Sequence, residues 1–290
     1  MPTCEVIQIT TPRKYLLDGL LLGNKKARTI YIFIHGLGGS LFSQMELAHT
    51  LVTSKSAVLV FNNRGFGTIN GIRKINKKAP KGYERITAGF AHEAFTDCVD
   101  DIEGAVSHAS KRGAKKIILV GHSTGCQKSV YYLKKRPKSP VSGAVLLAPM
   151  SDFADMVLNT SKREYHKLIF LAKKMVKGKK AFSLMPSNLW PMPITAQRFL
   201  SLFSPESIEE IFSYASLKKP LILQAVKKPL LVILAGDDEH RDRPISDIAL
   251  WFKEILAKRE AQVVVVNSAP HNFSGHTLKL KKAIAKWLEN

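Results

Sequence analysis

The stretch Lys116-Ile117-Ile118-Leu119-Val120-Gly121-His122-Ser123-Thr124-Gly125 decides the architecture. Ile117 to Val120 are apolar without polar alternation, the pattern of a strand buried on both faces, and such strands belong to parallel sheets covered by helices. The next five residues fit Gly-x-Ser-x-Gly, and a helical pattern follows to about Arg136. A serine held between a buried strand and a helix sits on a turn so sharp that side chains at the flanking positions would collide with neighbouring backbone, and its Oγ projects above the sheet edge. Ser123 is therefore the candidate nucleophile. An incidental serine in a Gly-rich turn is the competing reading, and the strand that precedes the motif weighs against it.

Outward from this point the same alternation recurs. Glu5 to Ile9 and Tyr15 to Leu22 read as early strands, and Thr29 to Ile34 and Ala57 to Phe61 as buried ones, with a helix over Ser43 to Thr53 between the last two. Residues 62 to 92 read as a long polar connection, and connections of that length are usually functional or mobile. A helix is expected over Glu93 to Lys111, stopped by Gly113, and a strand over Val141 to Leu147. Alternation then lapses: from Ser151 to about Leu217 only helical stretches are legible, such as Glu164 to Lys177 and Pro205 to Ser216, around a Pro-rich joint at Met185 to Pro193. It resumes with Pro229 to Ala235 (strand), Ile245 to Arg259 (helix), Ala261 to Val266 (strand) and Leu278 to Glu289 (helix). The fold class is α/β: a mostly parallel, doubly wound sheet in two parts, 1–150 and 218–290, with a helical insertion at 151–217.

In a parallel sheet the C-terminal strand ends share one edge, where ligands collect. His35-Gly36-Leu37-Gly38-Gly39 follows the buried strand Thr29 to Ile34 and so can face Ser123. The backbone N–H groups of Leu37 and Thr124 are then the candidate oxyanion donors, each of a kind worth about 3 kcal/mol to a transition state. His35 and His122 are read as bracing and packing residues rather than bases, and Cys126 as a small buried residue.

Composition sets the outer limits. The chain has 290 residues, 45% hydrophobic and 23% charged, with 18 Gly and 14 Pro, which excludes disorder, collagen and coiled coil. No run is long and apolar enough for a transmembrane helix, and the N-terminal residues lack the basic and apolar regions of a signal peptide. Cys4, Cys98 and Cys126 show no metal spacing and fit no disulfide framework, so the expected setting is reducing and cytoplasmic, with neither cofactor nor metal. Lys and Arg number 44 against 23 Asp and Glu, a formal charge of +21. The excess is spread along the chain and is mostly Lys, which reads as a solvated surface in preference to specific nucleic-acid binding.

The ordered set His-Gly-x-Gly-Gly, Asn62-Asn63-Arg64-Gly65, Gly-His-Ser-x-Gly, Gly236-Asp237-Asp238-Glu239-His240 and Pro270-His271-Asn272-Phe273 resembles the α/β-hydrolase superfamily, in particular its small serine esterases, acylglycerol lipases and siderophore esterases. The resemblance runs over essentially the whole chain and places a variable lid at 151–217. It implies a serine nucleophile, a backbone oxyanion hole and an acid and a histidine following the serine in that order. His271 matches the catalytic histidine, with His276 as rival. Three adjacent carboxylates compete for the acid: the esterase pattern selects Asp238, while Asp237 and Glu239 stay open. Arg64 is read as a brace under its loop.

The expected activity is hydrolysis of a small carboxylic ester through Ser123, His271 and Asp238 by way of an acyl-enzyme. The sequence leaves open an amide or peptide hydrolase or a thioesterase on the same triad and, in another class, a non-catalytic hydrolase-fold or polyanion-binding protein. Phe182, Trp190, Phe199 and Phe203 are available to wall an acyl pocket or to pack the insertion. The basic amphipathic run Tyr165 to Lys177 reads as a lid helix in preference to a membrane-surface helix. A Lys row at Lys173, Lys174 and Lys177 near a pocket mouth would concentrate an anionic ester. Oligomeric state is not legible.

Overall fold

The computed structural model describes residues 3–216 and 218–289; Leu217, the end of the insertion by sequence, lies outside them, as do Met1, Pro2 and Asn290. Ten strands form one sheet: β1 (Cys4–Thr10), β2 (Tyr15–Leu22), β3 (Thr29–Ile34), β4 (Ser56–Phe61), β5 (Asn70–Ile75), β6 (Tyr83–Ala88), β7 (Lys116–His122), β8 (Val141–Leu147), β9 (Leu230–Ala235) and β10 (Ala261–Val266). Their order is β10-β9-β8-β7-β3-β4-β2-β5-β6, with β1 paired to β2. The pairings from β10 through to β4 are parallel, while β2 lies antiparallel to β1, β4 and β5.

The helices are α1 (Met45–Leu51), α2 (Cys98–Lys111), α3 (Thr124–Lys135), α4 (Asp152–Asn159), α5 (Lys162–Lys177), α6 (Ala196–Phe203), α7 (Leu221–Gln224), α8 (Ile245–Leu256) and α9 (Thr277–Glu289). Two apolar layers sandwich the sheet. On β3, Ile30, Ile32 and Ile34 join the layer under α2, α3 and α8, while Tyr31 and Phe33 join the layer under α1 and α9. On β7, Ile117 and Leu119 take the first side and Ile118 and Val120 the second. This is why these strands read as continuous apolar runs: both faces are interior. A third cluster, with Met156, Leu168, Ile194, Phe199 and Leu202, is the core of the helical segment between β8 and β9.

Three expectations are corrected. Residues 62–92 are not an unstructured connection, because they contain the hairpin β5–β6, paired from Asn70↔Ala88 to Ile75↔Tyr83. The hairpin lies at the sheet edge and buries only Ile72 and Ala88, so its sequence carries little apolar pattern. Pro205 to Ser216 is not a helix: Ile211, Phe212 and Tyr214 are buried, but Ile208 is exposed, and Glu209, Glu210 and Ser213 are buried and tied to partners elsewhere. The helix expected from Glu93 starts at Cys98, after two short 3-10 turns at Phe90–His92 and Phe95–Asp97. Among the described residues no helix is long and apolar enough to cross a membrane.

Candidate active site

The loops that follow β3, β7, β8, β9 and β10 leave the sheet at one edge, because those strands are parallel. Ser123 stands between β7 and α3 with φ 53° and ψ −127°. That conformation is costly for a side-chain-bearing residue, and it is tolerated where surrounding structure over-determines it. Here its N–H donates to the Leu147 carbonyl at 3.0 Å, and a Cβ on the neighbouring Gly125 would lie 2.1 Å from the Ile34 carbonyl oxygen. Only glycine lets α3 approach β3 so closely. Cys126 is buried at the start of α3, its Sγ near the Gly121 and Leu147 carbonyls.

The loop after β3 lies directly against this turn. A Cβ on Gly36 would fall 2.9 Å from Ser123 Cβ, so the Leu37 backbone passes beside the serine. Neither the Leu37 N–H nor the Thr124 N–H has an acceptor among the described residues outside regular helix bonding. His35 braces the loop: Nδ1 bonds its neighbour's carbonyl, Gly36 O, at 2.9 Å, and Nε2 accepts from Asn63 N–H at 3.2 Å. Burial, reinforced by the Lys128 charge, pushes the His35 ring down to about 4, so it stays neutral. Arg64 is likewise a brace, its guanidinium on Asp101 at 2.7 Å and Asp100 at 3.0 Å and stacked on Tyr15.

Across the edge, His271 Nδ1 meets Asp238 Oδ2 at 2.8 Å. Asp238 is 1% exposed, and its other oxygen accepts from the His240 N–H at 3.0 Å. The two other carboxylates are placed differently. The Asp237 side chain is 67% exposed, near Arg241, and Glu239 accepts the backbone N–H of His271 at 2.9 Å. His122 Nε2 donates to the His271 carbonyl at 2.9 Å, and burial holds His122 down at about 4, so the histidine backbone is gripped from two sides. His276 lies outside this constellation, its Nδ1 on Ser274 O. With Nδ1 engaged by a carboxylate, the proton belongs on Nδ1 and Nε2 carries the free lone pair.

Ser123, Leu37 and His271 line one cavity of about 700 Å³. Ser123 Oγ makes no hydrogen bond among the described residues; the serine hydroxyl and the His271 imidazole share the cavity without a bond between them. Trp190 and Phe203 line the cavity, Phe199 is buried behind them at ring-centroid distances of 5.2 and 5.0 Å, and Phe182 is 70% exposed. Lys173, Lys174 and Lys177 are exposed and do not line it. Sequence reasoning missed Asp152, Asp155 and His240 as cavity walls, because the first two belong to a segment without strand signal and the third to a loop in which three carboxylates drew attention. No group of three or more His, Cys, Asp or Glu side chains among the described residues is placed to hold a metal ion.

Comparison with known proteins sets this geometry in a family. A curated relative, the fusarinine C esterase sidJ of Aspergillus fumigatus, is 31% identical over a match taking in 32% of this chain. The match spans about a third, 36%, of that relative's length. Among solved structures, the Pyrococcus furiosus esterase Pf2001 superposes with a TM-score of 0.60 at 15% identity, over 99% of this chain and 91% of that one. Est1E of Butyrivibrio proteoclasticus, solved with ferulic acid, gives 0.64 at 14% identity, over 97% of both chains. The α/β hydrolase GrgF of Penicillium sp. sh18 gives 0.65 at 14%, over 99% and 98%. The fold is that of the α/β hydrolases. The model of a family described as protein of unknown function (DUF1749) matches residues 87–289, and the chain belongs to that family of α/β hydrolases.

Proposed function

We propose that the protein is a serine hydrolase that cleaves a carboxylic ester, with Ser123 as nucleophile, His271 as base and Asp238 as the carboxylate that orients it. The observation that carries the reading is the 2.8 Å pairing of a buried Asp238 with His271 on the rim of the cavity that Ser123 enters from its strained turn. His271 Nε2 takes the Ser123 proton as Oγ attacks the carbonyl carbon. The resulting oxyanion forms beside the N–H groups of Leu37 and Thr124, and His271 then returns the proton to the departing alcohol. Water, deprotonated by the same nitrogen, attacks the acyl-Ser123 ester, and the acid leaves with the serine regenerated. Asp238 keeps its charge throughout and stabilises the imidazolium. The choice of an ester is supported by the likeness to a fusarinine C esterase.

A fluorophosphonate reacts with a serine activated in this way. It is expected to label the wild-type chain and to leave Ser123→Ala unlabelled, read by mass spectrometry. Labelling of Ser123→Ala at the wild-type rate, or an inert wild-type protein that is folded by circular dichroism, overturns the reading.

A further inference from the structure

The chain holds 44 Lys and Arg residues, yet none of them lines the cavity beside Ser123. The formally charged acidic side chains in its wall are Asp152 and Asp155, both in the first turn of α4, and His240 adjoins them. Asp152 Oδ2 accepts from Gln127 Nε2 at 3.1 Å. Asp155 Oδ1 meets His240 Nδ1 at 3.2 Å and Asn159 Nδ2 at 3.0 Å, while its Oδ2 has no partner among the described residues. The Asp155 side chain is one-third exposed (33%) and open to the cavity. Burial pushes the Asp152 carboxyl well above the usual carboxylate range, and the hydrogen bond to the Asp155 carboxylate pushes the His240 imidazole above its own.

This acidic end lies on the imidazole's side of the site, because the His240 ring that Asp155 holds sits edge-on to His271 at 4.7 Å. Trp190 and Phe203 contribute aromatic surface to the same cavity, and the Trp190 indole N–H is buried without an acceptor among the described residues. Carboxylate and aromatic faces together are the chemistry that recognises an alkylammonium group. The lysine-rich exterior does not cancel this. Exposed charges beyond about 8 Å are largely screened at physiological ionic strength, so the field inside the cavity is set by its own walls.

We propose that the cavity selects a cationic ester, one that carries an ammonium group close to the scissile carbonyl, with Asp155 as the residue that sets this preference. The proposal rests on the ester-hydrolase reading above and adds the charge of the substrate to it. Acidic residues in a first helical turn also favour the helix dipole, a structural use that affects every substrate alike.

The test compares esters of matched shape with the full chain. Butyrylcholine is set against 3,3-dimethylbutyl butyrate, and ethyl 4-trimethylammoniobutyrate against ethyl 5,5-dimethylhexanoate, so the charge lies in the alcohol half or the acyl half. The charged member of at least one pair is expected to show a kcat/KM about tenfold higher, and Asp155→Asn to lower that value several-fold more than it lowers the neutral member's. Equal or better hydrolysis of the neutral member in both pairs overturns the proposal, as does an equal loss on both members in Asp155→Asn. If the wild-type chain hydrolyses none of the four, binding to Ser123→Ala is measured by calorimetry. Asp155-dependent preference for the charged compound then sustains the cation site while the ester reading falls, and absence of preference removes the cation site.

Discussion

At the residue scale, three adjacent carboxylates follow β9 and only the folded chain separates them. Asp238 reaches Nδ1 of His271 because the loop turns inward between the backbone bonds that Asp237 N–H makes to Ala269 O and that His240 N–H makes to Asp238. Asp237 points to water and Glu239 grips the histidine backbone. Replacing Asp238 by Asn keeps the shape but presents an amide to Nδ1, which favours the wrong tautomer and leaves the imidazolium without a counter-charge. The expected loss in kcat for Asp238→Asn is on the order of 10³–10⁴-fold, whereas Asp237→Asn is expected to stay within about twofold. Steady-state kinetics on one activated ester checks both, and comparable losses in the two variants would remove Asp238 from its role. This choice was not readable from sequence spacing alone: adjacent acids differ in direction, and direction comes from backbone contacts made by residues more than thirty positions away.

At the scale of elements, legibility followed burial. β3, β7, β8 and β9 were read with little error because each faces two interior layers, and the elbow and the loop after β3 could be placed from them. β5 and β6 were missed because an edge hairpin that buries two side chains leaves no apolar pattern. The segment after α6 was misread as a helix because its apolar residues are spaced to suit one, while buried polar side chains decide its path. Glu210 shows how. It is 4% exposed and receives the Ser151 hydroxyl at 2.8 and 3.0 Å, and Ser151 in turn caps α4 through the Ala154 N–H. Burial pushes the Glu210 carboxyl up to about 7. The folded chain therefore holds a proton there that the unfolded chain releases near 4.5, so the stability from this group is full below about pH 4.5 and is lost as pH rises through about 7. Between pH 4.5 and 8 the wild type is expected to lose up to about 3 kcal/mol more than Glu210→Gln, which cannot ionise. Urea unfolding of both proteins at the two pH values gives the difference, and parallel pH profiles would show that Glu210 is not the group involved.

At the scale of the whole molecule, four buried charges join the helical segment to the sheet. Lys128 of α3 lies 2.6 Å from Glu93, Glu93 lies 2.9 Å from Arg198 of α6, and Arg198 also pairs with Glu209, which accepts the Ser201 hydroxyl at 2.6 Å. All four side chains are at most 3% exposed. Lys128 belongs to α3 and Glu93 to the connection between β6 and α2, while Arg198 and Glu209 belong to the segment between β8 and β9. Such a network adds little net stability over a well-packed apolar replacement, but removing one member strands the others in a low-dielectric interior. Arg198→Met is expected to cost about 3–5 kcal/mol, since Glu209 loses its cation and Glu93 keeps only Lys128. A second change, Glu209→Leu in the Arg198→Met background, removes the stranded carboxylate and is expected to recover part of that cost even though another native interaction is gone. Equilibrium urea unfolding of the wild type, the single and the double variant measures the three stabilities. A double variant no more stable than the single one would mean that packing of the arginine side chain, and not its charge, holds the helical segment on the sheet.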